Sequence, residues 1–415
     1  MRKENNLINK KSHIDHCVDC DTVVSIPFLS EYQQAECPRC HNTVISGSRW
    51  GLRRCSIVAL SILILLPFAL NYPLLSIDLF GSKIDASVWQ GIWKMATNGY
   101  PYTAFLILIC SVIAPLFFVI LILMLRISQL LKIQPRNVLI TLGYIQPWVM
   151  FDVYFVALGV TIFKVREYAS LYIDIYLIAF ICTTILITLL FIKLNLKSLW
   201  YDFYPEHKVL NRNLITKPFL CTTCEYTFQN AYFDKKGNQC CPRCQTIIQQ
   251  SFDIKLQRTW ATLIAGIIML IPANLLPISI VYVNGVATAD TLMSGVLSFI
   301  NTGSYFIAFI VFFASIFVPV SKILIMLYLL TCIHFKIKQN IKWQMKLLHI
   351  VHFVGRWSML DLFVLALMMS LVSRGQIIDF SVGPAAFYFG IAVFLTMIST
   401  SQFDSRLLWK IYDRK

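Results

Sequence analysis

Charged residues are scarce in this chain. Of its 415 residues only 14% are Asp, Glu, Lys or Arg, whereas 57% are hydrophobic, and the mean hydropathy is +0.67. Soluble domains usually carry a charged fraction of about 25%. The composition therefore excludes an ordinary soluble protein and indicates a polytopic membrane protein.

Motifs of enzyme chemistry are absent as well. The chain has no glycine-rich phosphate loop of the P-loop type, which excludes ATP hydrolysis at such a loop. It has neither a Gly-x-Ser-x-Gly nor a His-Glu-x-x-His motif. Low-complexity tracts and flexible interdomain linkers are missing too. We therefore predict a protein that is not an enzyme, with extramembrane parts that pack closely against its helices.

Long apolar runs, in contrast, are abundant. Eight stretches can cross a bilayer as helices, because about 20 apolar residues span its hydrocarbon core. They lie at roughly 55–77, 102–125, 138–163, 171–193, 259–283, 304–333, 347–372 and 382–402. The polar N-terminus runs directly into a cysteine cluster, which predicts no cleavable signal peptide.

The distribution of basic residues orients these helices. With both termini placed in the cytoplasm, 29 of the 36 Lys and Arg residues fall on cytoplasmic segments and five on external loops. This bias follows the positive-inside rule. The net charge of +15 thus serves topology and the anionic inner leaflet rather than nucleic acid.

One cysteine spacing occurs twice, 204 residues apart. Each copy has two C-x2-C pairs separated by sixteen residues, and its members are Cys17, Cys20, Cys37 and Cys40, then Cys221, Cys224, Cys241 and Cys244. Four thiolates at this spacing meet at one tetrahedral point, and the reducing cytoplasm favours metal binding over disulfides. We expect two structural zinc ions, since a closed four-sulfur site leaves no position for chemistry. Iron in a rubredoxin-like site uses the same geometry and stays the alternative.

The repeat continues beyond the cysteines. An offset of 204 residues matches Pro115 with Pro319, and an offset of 209 matches Asp152 with Asp361. The same register makes Cys241, and not its neighbour Cys240, the metal ligand. Because each half has an even number of helices, the repeats are parallel and related by an axis along the membrane normal.

These patterns predict an α-helical polytopic membrane protein of two tandem modules. Each module is a small cytoplasmic four-cysteine zinc ribbon followed by four transmembrane helices. We expect the ribbons at residues 1–50 and 201–255, and the four-helix modules at 51–200 and 256–415.

Ionisable residues at membrane depth are costly and therefore mark functional candidates. Lys322 lies near the middle of the sixth span, where its counterpart in the first half is Phe118. Asp361 and its counterpart Asp152 occur in both halves, so we interpret them first as structural partners. Arg356 is again specific to the second half, which alone offers a set of lysine, aspartate and arginine.

Weaker patterns add further candidates. Thr396 in the last span could complete a polar pocket with Lys322, and Glu167 in an external turn could pair with a headgroup or relay protons. In the first external loop, apolar residues at helical spacing predict a short helix on the outer membrane surface, with a plain connector as the alternative: Val88, Trp89, Ile92 and Trp93.

Five stretches together with the cysteine pairs form a recognisable pattern. They are PANLLPIS at 272–279, VPVSK at 318–322, GRWSMLD at 355–361, GPAAFYFG at 383–390 and DSRLLW at 404–409. The chain resembles the paraquat-inducible protein A family of Gram-negative inner membranes, and most closely its LetA-type members. The resemblance covers almost the whole chain.

The resemblance implies a role in lipid transport. Such a subunit loads phospholipid into a periplasmic MCE-domain tunnel protein, or receives it from one, and so supports envelope integrity. The family motifs put the functional residues at Lys322, Ser321, Arg356, Trp357 and Asp361, either as a headgroup site or as a proton relay. A metal-dependent redox protein and a scaffold that anchors the partner without binding lipid are the alternatives.

Overall fold

We analysed a computed structural model of the chain. The structure describes residues 13–26, 33–45, 50–79, 82–166, 170–205, 219–228, 231–235, 237–248, 252–283, 286–301, 303–337, 340–371 and 378–413. Glu167 lies outside these residues.

Eight helices within the described residues are long and apolar enough to cross a membrane, as the sequence predicts. They are Leu52–Asn71, Pro101–Leu130, Arg136–Phe163, Tyr176–Lys193, Asp253–Leu275, Ala308–His334, Ile341–Ser370 and Ala385–Gln402. We refer to them as the first to eighth spans. The chain is thus a multi-pass membrane protein of two tandem modules with four spans each.

The first and fifth spans end earlier than hydropathy suggests. Each is followed by a proline, Pro73 or Pro277, and a proline disfavours a helical residue before it. The apolar run then continues as a strand, Leu75–Leu79 in the first module and Ser279–Val283 in the second. Hydropathy cannot separate these strands from the helices before them, since both are apolar.

These strands belong to two small antiparallel sheets that the sequence did not predict. In the first module Leu75–Leu79 pairs with Ser82–Ala86 on one side and with Ser170–Ile173 on the other. In the second module Ser279–Val283 pairs in the same way with the strands Val286–Asp290 and Ile378–Val382. Each sheet ties the loop after a module's first span to the loop before its last span. We call this end of the bundle the sheet side.

A short helix follows each hairpin, Val88–Thr97 in the first module and Leu292–Asn301 in the second. The first is the helix predicted from the apolar spacing, and the Ser87 hydroxyl caps it by accepting a hydrogen bond from Gln90 N. Val88 and Ile92 are buried, whereas Trp89 and Trp93 are exposed. The helix also packs on the second module, because Lys94 Nζ donates to Ser370 O at 2.8 Å.

The two ribbons consist of short antiparallel hairpins. The first contains the strands His13–His16, Val23–Ile26, Ala35–Glu36 and Thr43–Ile45. The second contains the strands Phe219–Leu220, Thr227–Phe228, Tyr232–Phe233 and Gln239–Cys240. Both pack against the helix ends opposite the sheets, which we call the ribbon side.

Each ribbon contacts the other module through an arginine. Arg39 of the first ribbon stacks on Trp409, 4.4 Å from the ring centroid, in the terminal helix Arg406–Asp413. Arg243 of the second ribbon is buried against Trp200 in the helix Leu196–Phe203, which ends the first module. The arginines are repeat counterparts, and so are the tryptophans. The sequence predicts close docking but gives no sign of this exchange.

A buried ion pair fastens the two ribbons to the first module. Asp15 Oδ2 lies 2.6 Å from Lys197 Nζ; the Asp15 side chain is buried and that of Lys197 is 9% exposed. Thr227 of the second ribbon donates its hydroxyl to Asp15 Oδ1 at 3.1 Å. The backbone N–H of His16 donates in turn to that hydroxyl at 3.2 Å. The Asp15 carboxylate therefore contacts both ribbons and the helix Leu196–Phe203 at the end of the first module.

Breaking this pair from one side is expected to destabilise the ribbon side. The substitution Lys197→Met leaves Asp15 buried without its cation, a loss of about 3–5 kcal/mol. Unfolding of the detergent-solubilised protein, followed by tryptophan fluorescence, measures the change. The double variant Asp15→Asn/Lys197→Met should recover much of the loss, because it removes both buried charges. Equal stability of wild type and Lys197→Met would contradict this account.

Candidate functional site

Within the described residues, two groups of four cysteines have sulfur atoms that all lie within 4.8 Å of one another. The Sγ atoms of Cys17 and Cys40 are 3.4 Å apart, and those of Cys224 and Cys241 are 3.7 Å apart. A tetrahedral zinc site with Zn–S bonds of about 2.3 Å has sulfur–sulfur edges of about 3.8 Å. The donor set and its spacing thus fit zinc, and both groups could hold a metal ion.

The backbone of both ribbons is shaped for this arrangement. The residue after each C-x2-C pair has a positive φ, namely 56° at Asp21, 60° at His41, 53° at Glu225 and 58° at Gln245. This left-handed turn lets the N–H of that residue bond back to the first cysteine carbonyl, as His41 N does to Cys37 O at 2.9 Å. Cys240 lies in a strand opposite Tyr232, outside the sulfur cluster.

The charge around the clusters suits metal-bound thiolates. Four thiolates around a divalent ion carry a net charge of −2, which the surroundings must balance. Arg39 and Arg243 stand between the two cysteines of the second pair of each ribbon. Burial lowers the pKa of Arg243, and the neighbouring Cys224 and Cys241 oppose that effect. The hydrogen bond between Cys17 and Cys20 lowers the pKa of Cys20 and raises that of Cys17, as expected for two neighbouring thiols that share one proton.

A second candidate site lies within the spans, where four helices are irregular. The second and sixth spans contain π-helical segments, Ile109–Ile113 and Phe313–Phe317. The third and seventh spans contain 3-10 segments, Gln146–Trp148 and Gly355–Met359. Irregular backbone at membrane depth is tolerated where protein buries it or where it lines a cavity, and it is common at functional sites.

Lys322 lies beside these breaks in the second module. It is 2% exposed, fourteen residues after the start of the sixth span and twelve before its end. At 1.5 Å per residue its Cα is about 18 Å from that end. A Cβ on Gly355 would lie 3.3 Å from Lys322 Nζ, so the glycine leaves the space that the amine occupies. Lys322 Nζ has no hydrogen-bond partner in the described part of the chain.

Two buried hydroxyls accompany the amine. Ser315 belongs to the π-helical segment and Ser358 to the 3-10 segment, and these segments pack on each other and on the helix of Lys322. Neither Ser315 Oγ nor Ser358 Oγ has a hydrogen-bond partner among the residues described. Buried polar groups without hydrogen-bond partners are rare in proteins. The amine and the two hydroxyls could therefore form hydrogen bonds with a bound ligand.

In the first module, aromatic rings occupy the position that corresponds to Lys322. Phe118, the counterpart of Lys322, stacks on Phe191 with ring centroids 4.9 Å apart. The counterpart of Phe191 by the 209-residue offset is Thr400 in the eighth span. Positions 118 and 191 face each other in the first module, so the repeat predicts that Thr400 lies opposite Lys322 in the second. The Thr400 hydroxyl donates to Thr396 O at 3.2 Å within its own helix.

Arg356 and Asp361, which the sequence groups with Lys322, have different neighbours in the structure. Arg356 Nη1 lies 3.9 Å from Asp152 Oδ2, so the arginine pairs with an aspartate of the first module across the seam. Asp361 lines a different cavity of about 60 Å³ with Ser279 and Asp290, towards the sheet side. Arg356 and Asp361 thus have different neighbours, and the grouping of lysine, aspartate and arginine into one functional site stays a prediction. The repeat gives no sign of the Arg356–Asp152 pair, because this pair joins non-equivalent positions.

The other predicted residues have local roles. The Ser321 hydroxyl donates to Val318 O and the Thr396 hydroxyl to Val393 O, both within their own helices. Such bonds satisfy a hydroxyl without involving a ligand. Trp357 is partly buried and packs against the hydrophobic core. Lys322 and the helix breaks around it remain the strongest candidate site.

Comparison with known proteins agrees with this architecture. A family profile described as Paraquat-inducible protein A matches residues 52–204 and 256–413, which are the two four-span modules. The chain belongs to the paraquat-inducible protein A family. This confirms the resemblance predicted from the motifs. No solved structure matches the chain significantly.

Members of the paraquat-inducible protein A family match along nearly the full chain. A "Probable intermembrane transport protein" of Haemophilus influenzae is 64% identical and covers 96% of both chains. The "Lipophilic envelope-spanning tunnel protein A" of Escherichia coli is 42% identical and covers 96% of this chain and 91% of its own. The "Intermembrane transport protein PqiA" of Escherichia coli is 28% identical over 95% of this chain and 94% of its own. These relatives are named as transport proteins, not as enzymes.

Proposed function

We propose that the chain is the membrane subunit of an intermembrane lipid-transport system and carries out no covalent chemistry. Its cargo is phospholipid, which it loads into a periplasmic MCE-domain tunnel protein or receives from one. The observation that carries the proposal is the buried Lys322 amine beside the break Gly355–Met359. The names of the relatives support the transport role.

The position of Lys322 favours an anionic ligand. A cation at the bilayer centre is unfavourable by about 2.5–3.5 kcal/mol on insertion scales, so it is retained where it meets a counter-charge or acts in transport. The phosphate of a phospholipid supplies such a charge. The hydroxyls Ser315 and Ser358 offer further donors to a headgroup. In the alternative form of the proposal, the amine relays protons during loading.

The setting of the proposal is the Gram-negative inner membrane. The excess of basic residues on the ribbon side supports a cytoplasmic position for both termini and both ribbons. The sheet side then faces the periplasm, where the exposed Trp89 and Trp93 offer an apolar surface for the MCE-domain partner. The ribbons, with one structural zinc ion each, brace the helix ends to which they dock.

Native mass spectrometry of the purified protein tests the proposal. Wild type should retain phospholipid and two zinc ions. Lys322→Met should reduce phospholipid occupancy by about 10-fold or more, since a bond to a charged group is worth about 1.5–3 kcal/mol. The control Lys336→Met removes an exposed lysine after the same span and should bind lipid as wild type does. Equal lipid occupancy in Lys322→Met would favour the scaffold, and iron without lipid the redox protein.

A further inference from the structure

A cavity of about 520 Å³ opens between the first ribbon and the seventh span. One wall is a single face of the helix Ile341–Val354, from Lys342 at its start to Val354 at its end. The other wall consists of Cys40 and His41 of the first ribbon and Trp409 of the terminal helix. Ligand pockets for small molecules typically measure about 300–1,000 Å³, so this cavity has the size of a binding site.

The lining changes from basic to apolar along the helix. Lys342, Lys346 and His349 line the cavity near the helix start, and Ile350 and Phe353 line it further on. Lys342 and Phe353 are eleven residues apart, or about 16 Å along the helix axis. This order of cations followed by apolar side chains is the order of headgroup and acyl chain in a phospholipid. No soluble anion needs the apolar half.

The exposed Trp343 supports this placement. It stands next to Lys342 at the start of the helix, is 54% exposed, and Lys346 Nζ lies 6.0 Å from its ring centroid. Tryptophan is enriched where a membrane meets water, at the level of the headgroups. The basic end of the cavity therefore lies at headgroup level, and Phe353, 64% exposed, lies at acyl-chain depth.

The charge of the cavity favours an anionic headgroup. One carboxylate is nearby, because Asp19 Oδ2 lies 3.4 Å from His349 Nε2 and also accepts a hydrogen bond from Asn42 Nδ2. Asp19 offsets the charge of His349 at most. Lys342 and Lys346 remain exposed at the opening, and no carboxylate lines the cavity among the residues described.

The apolar end of the cavity leads to the candidate site. Val354 lines the cavity, and the next residue is Gly355, against which Lys322 Nζ packs. A lipid held at the two lysines thus has its chains next to the helix break. We propose that this cavity binds an anionic phospholipid of the leaflet on the ribbon side, with its headgroup between Lys342 and Lys346. The role of this site in transport rests on the proposed function, but lipid binding at the site can be measured separately.

Binding of phosphatidylglycerol and phosphatidylcholine to the full-length protein tests the inference. In Lys342→Gln/Lys346→Gln, native mass spectrometry should show about 10-fold weaker phosphatidylglycerol binding and unchanged phosphatidylcholine binding. The matched control is Lys132→Gln/Lys336→Gln. These exposed lysines are repeat counterparts, follow the second and sixth spans, and lie outside the cavity. The control makes the same charge change and should stay within about 2-fold of wild type.

A second variant tests the apolar part of the cavity without changing its charge. Ile350→Trp fills the apolar part and should weaken phosphatidylglycerol binding while all lysines remain. Unchanged binding in both cavity variants would overturn the inference, and so would displacement of the lipid by millimolar inorganic phosphate.

The inference and the proposed function can fail separately. If Lys322→Met loses lipid while the cavity variants bind normally, the cavity proposal fails and the function stands. If the cavity variants lose phosphatidylglycerol while Lys322→Met transports lipid normally, the cavity site stands and the role of Lys322 fails.

Discussion

Cells that carry Lys322→Met in place of the wild-type protein should lose the envelope protection that the proposed function implies, as completely as a deletion strain. The methionine side chain has nearly the same length without the charge. Since a buried cation at membrane depth opposes folding, its removal should leave protein abundance unchanged or slightly higher. The measurement is survival under detergent stress together with immunoblotting of membranes. Full complementation by Lys322→Met would refute the central role of this amine.

Substitution of Gly355 gives a graded version of the same test. A Cβ at this position would lie 3.3 Å from Nζ and 3.4 Å from Cε of Lys322, so Gly355→Ala should displace the amine by a few tenths of an ångström and reduce activity in part. Gly355→Val should reduce it further. The control is Gly159→Ala in the third span, the repeat counterpart of the seventh, because nothing lies within 4 Å of a Cβ there. Equal effects of Gly355→Ala and Gly159→Ala would show that the amine needs no special space.

Loss of one cluster ligand is the second large effect that we expect. Cys241→Ser should reduce bound zinc from two ions to one per chain and sharply lower the abundance of the protein. Zinc contributes about 10–16 kcal/mol to small four-ligand sites, and a ribbon of short hairpins has little other core. Elemental analysis of purified protein and immunoblotting of membranes measure the two effects.

The neighbouring cysteine supplies the matched control. Cys240 is buried one residue away but lies in a strand outside the sulfur cluster. Cys240→Ser should therefore keep two zinc ions and near-normal abundance. Loss of an ion in this variant, or its retention in Cys241→Ser, would contradict the ligand assignment. A Cys241→Ser protein that is abundant but inactive would point to a sensing or redox role.

The loss of the second ribbon should also weaken the first. Both ribbons meet at Asp15, Thr227 and Lys197, and Arg243 packs its guanidinium on three aromatic rings, those of Trp200, Tyr201 and Tyr226. Arg243 is 1% exposed and has no hydrogen-bond partner in the described structure, so cation–π contacts with these rings stabilise its charge. The two cysteine clusters therefore belong to an assembly that includes the ends of both modules.

Features that depend on nearby residues could be predicted from the sequence. The eight spans follow from runs of apolar residues, the cysteine clusters from C-x2-C spacing, and the two modules from a constant offset between repeats. The special status of Lys322 follows from its comparison with Phe118. Each of these signals is complete within one segment or within a pair of aligned segments, so it does not depend on how the helices pack.

The tertiary structure decided which segments meet. The sheets needed pairing between strands about 100 residues apart, for example Ser279–Val283, which hydropathy assigned to a span end, and Ile378–Val382, which it left mostly in a loop. The partner of Arg356 is Asp152 rather than Asp361, and each ribbon contacts the opposite module through an arginine. Such contacts depend on shape and charge summed over several helices. A local pattern fixes where a helix or a metal ligand lies along the chain, and only packing determines what faces it.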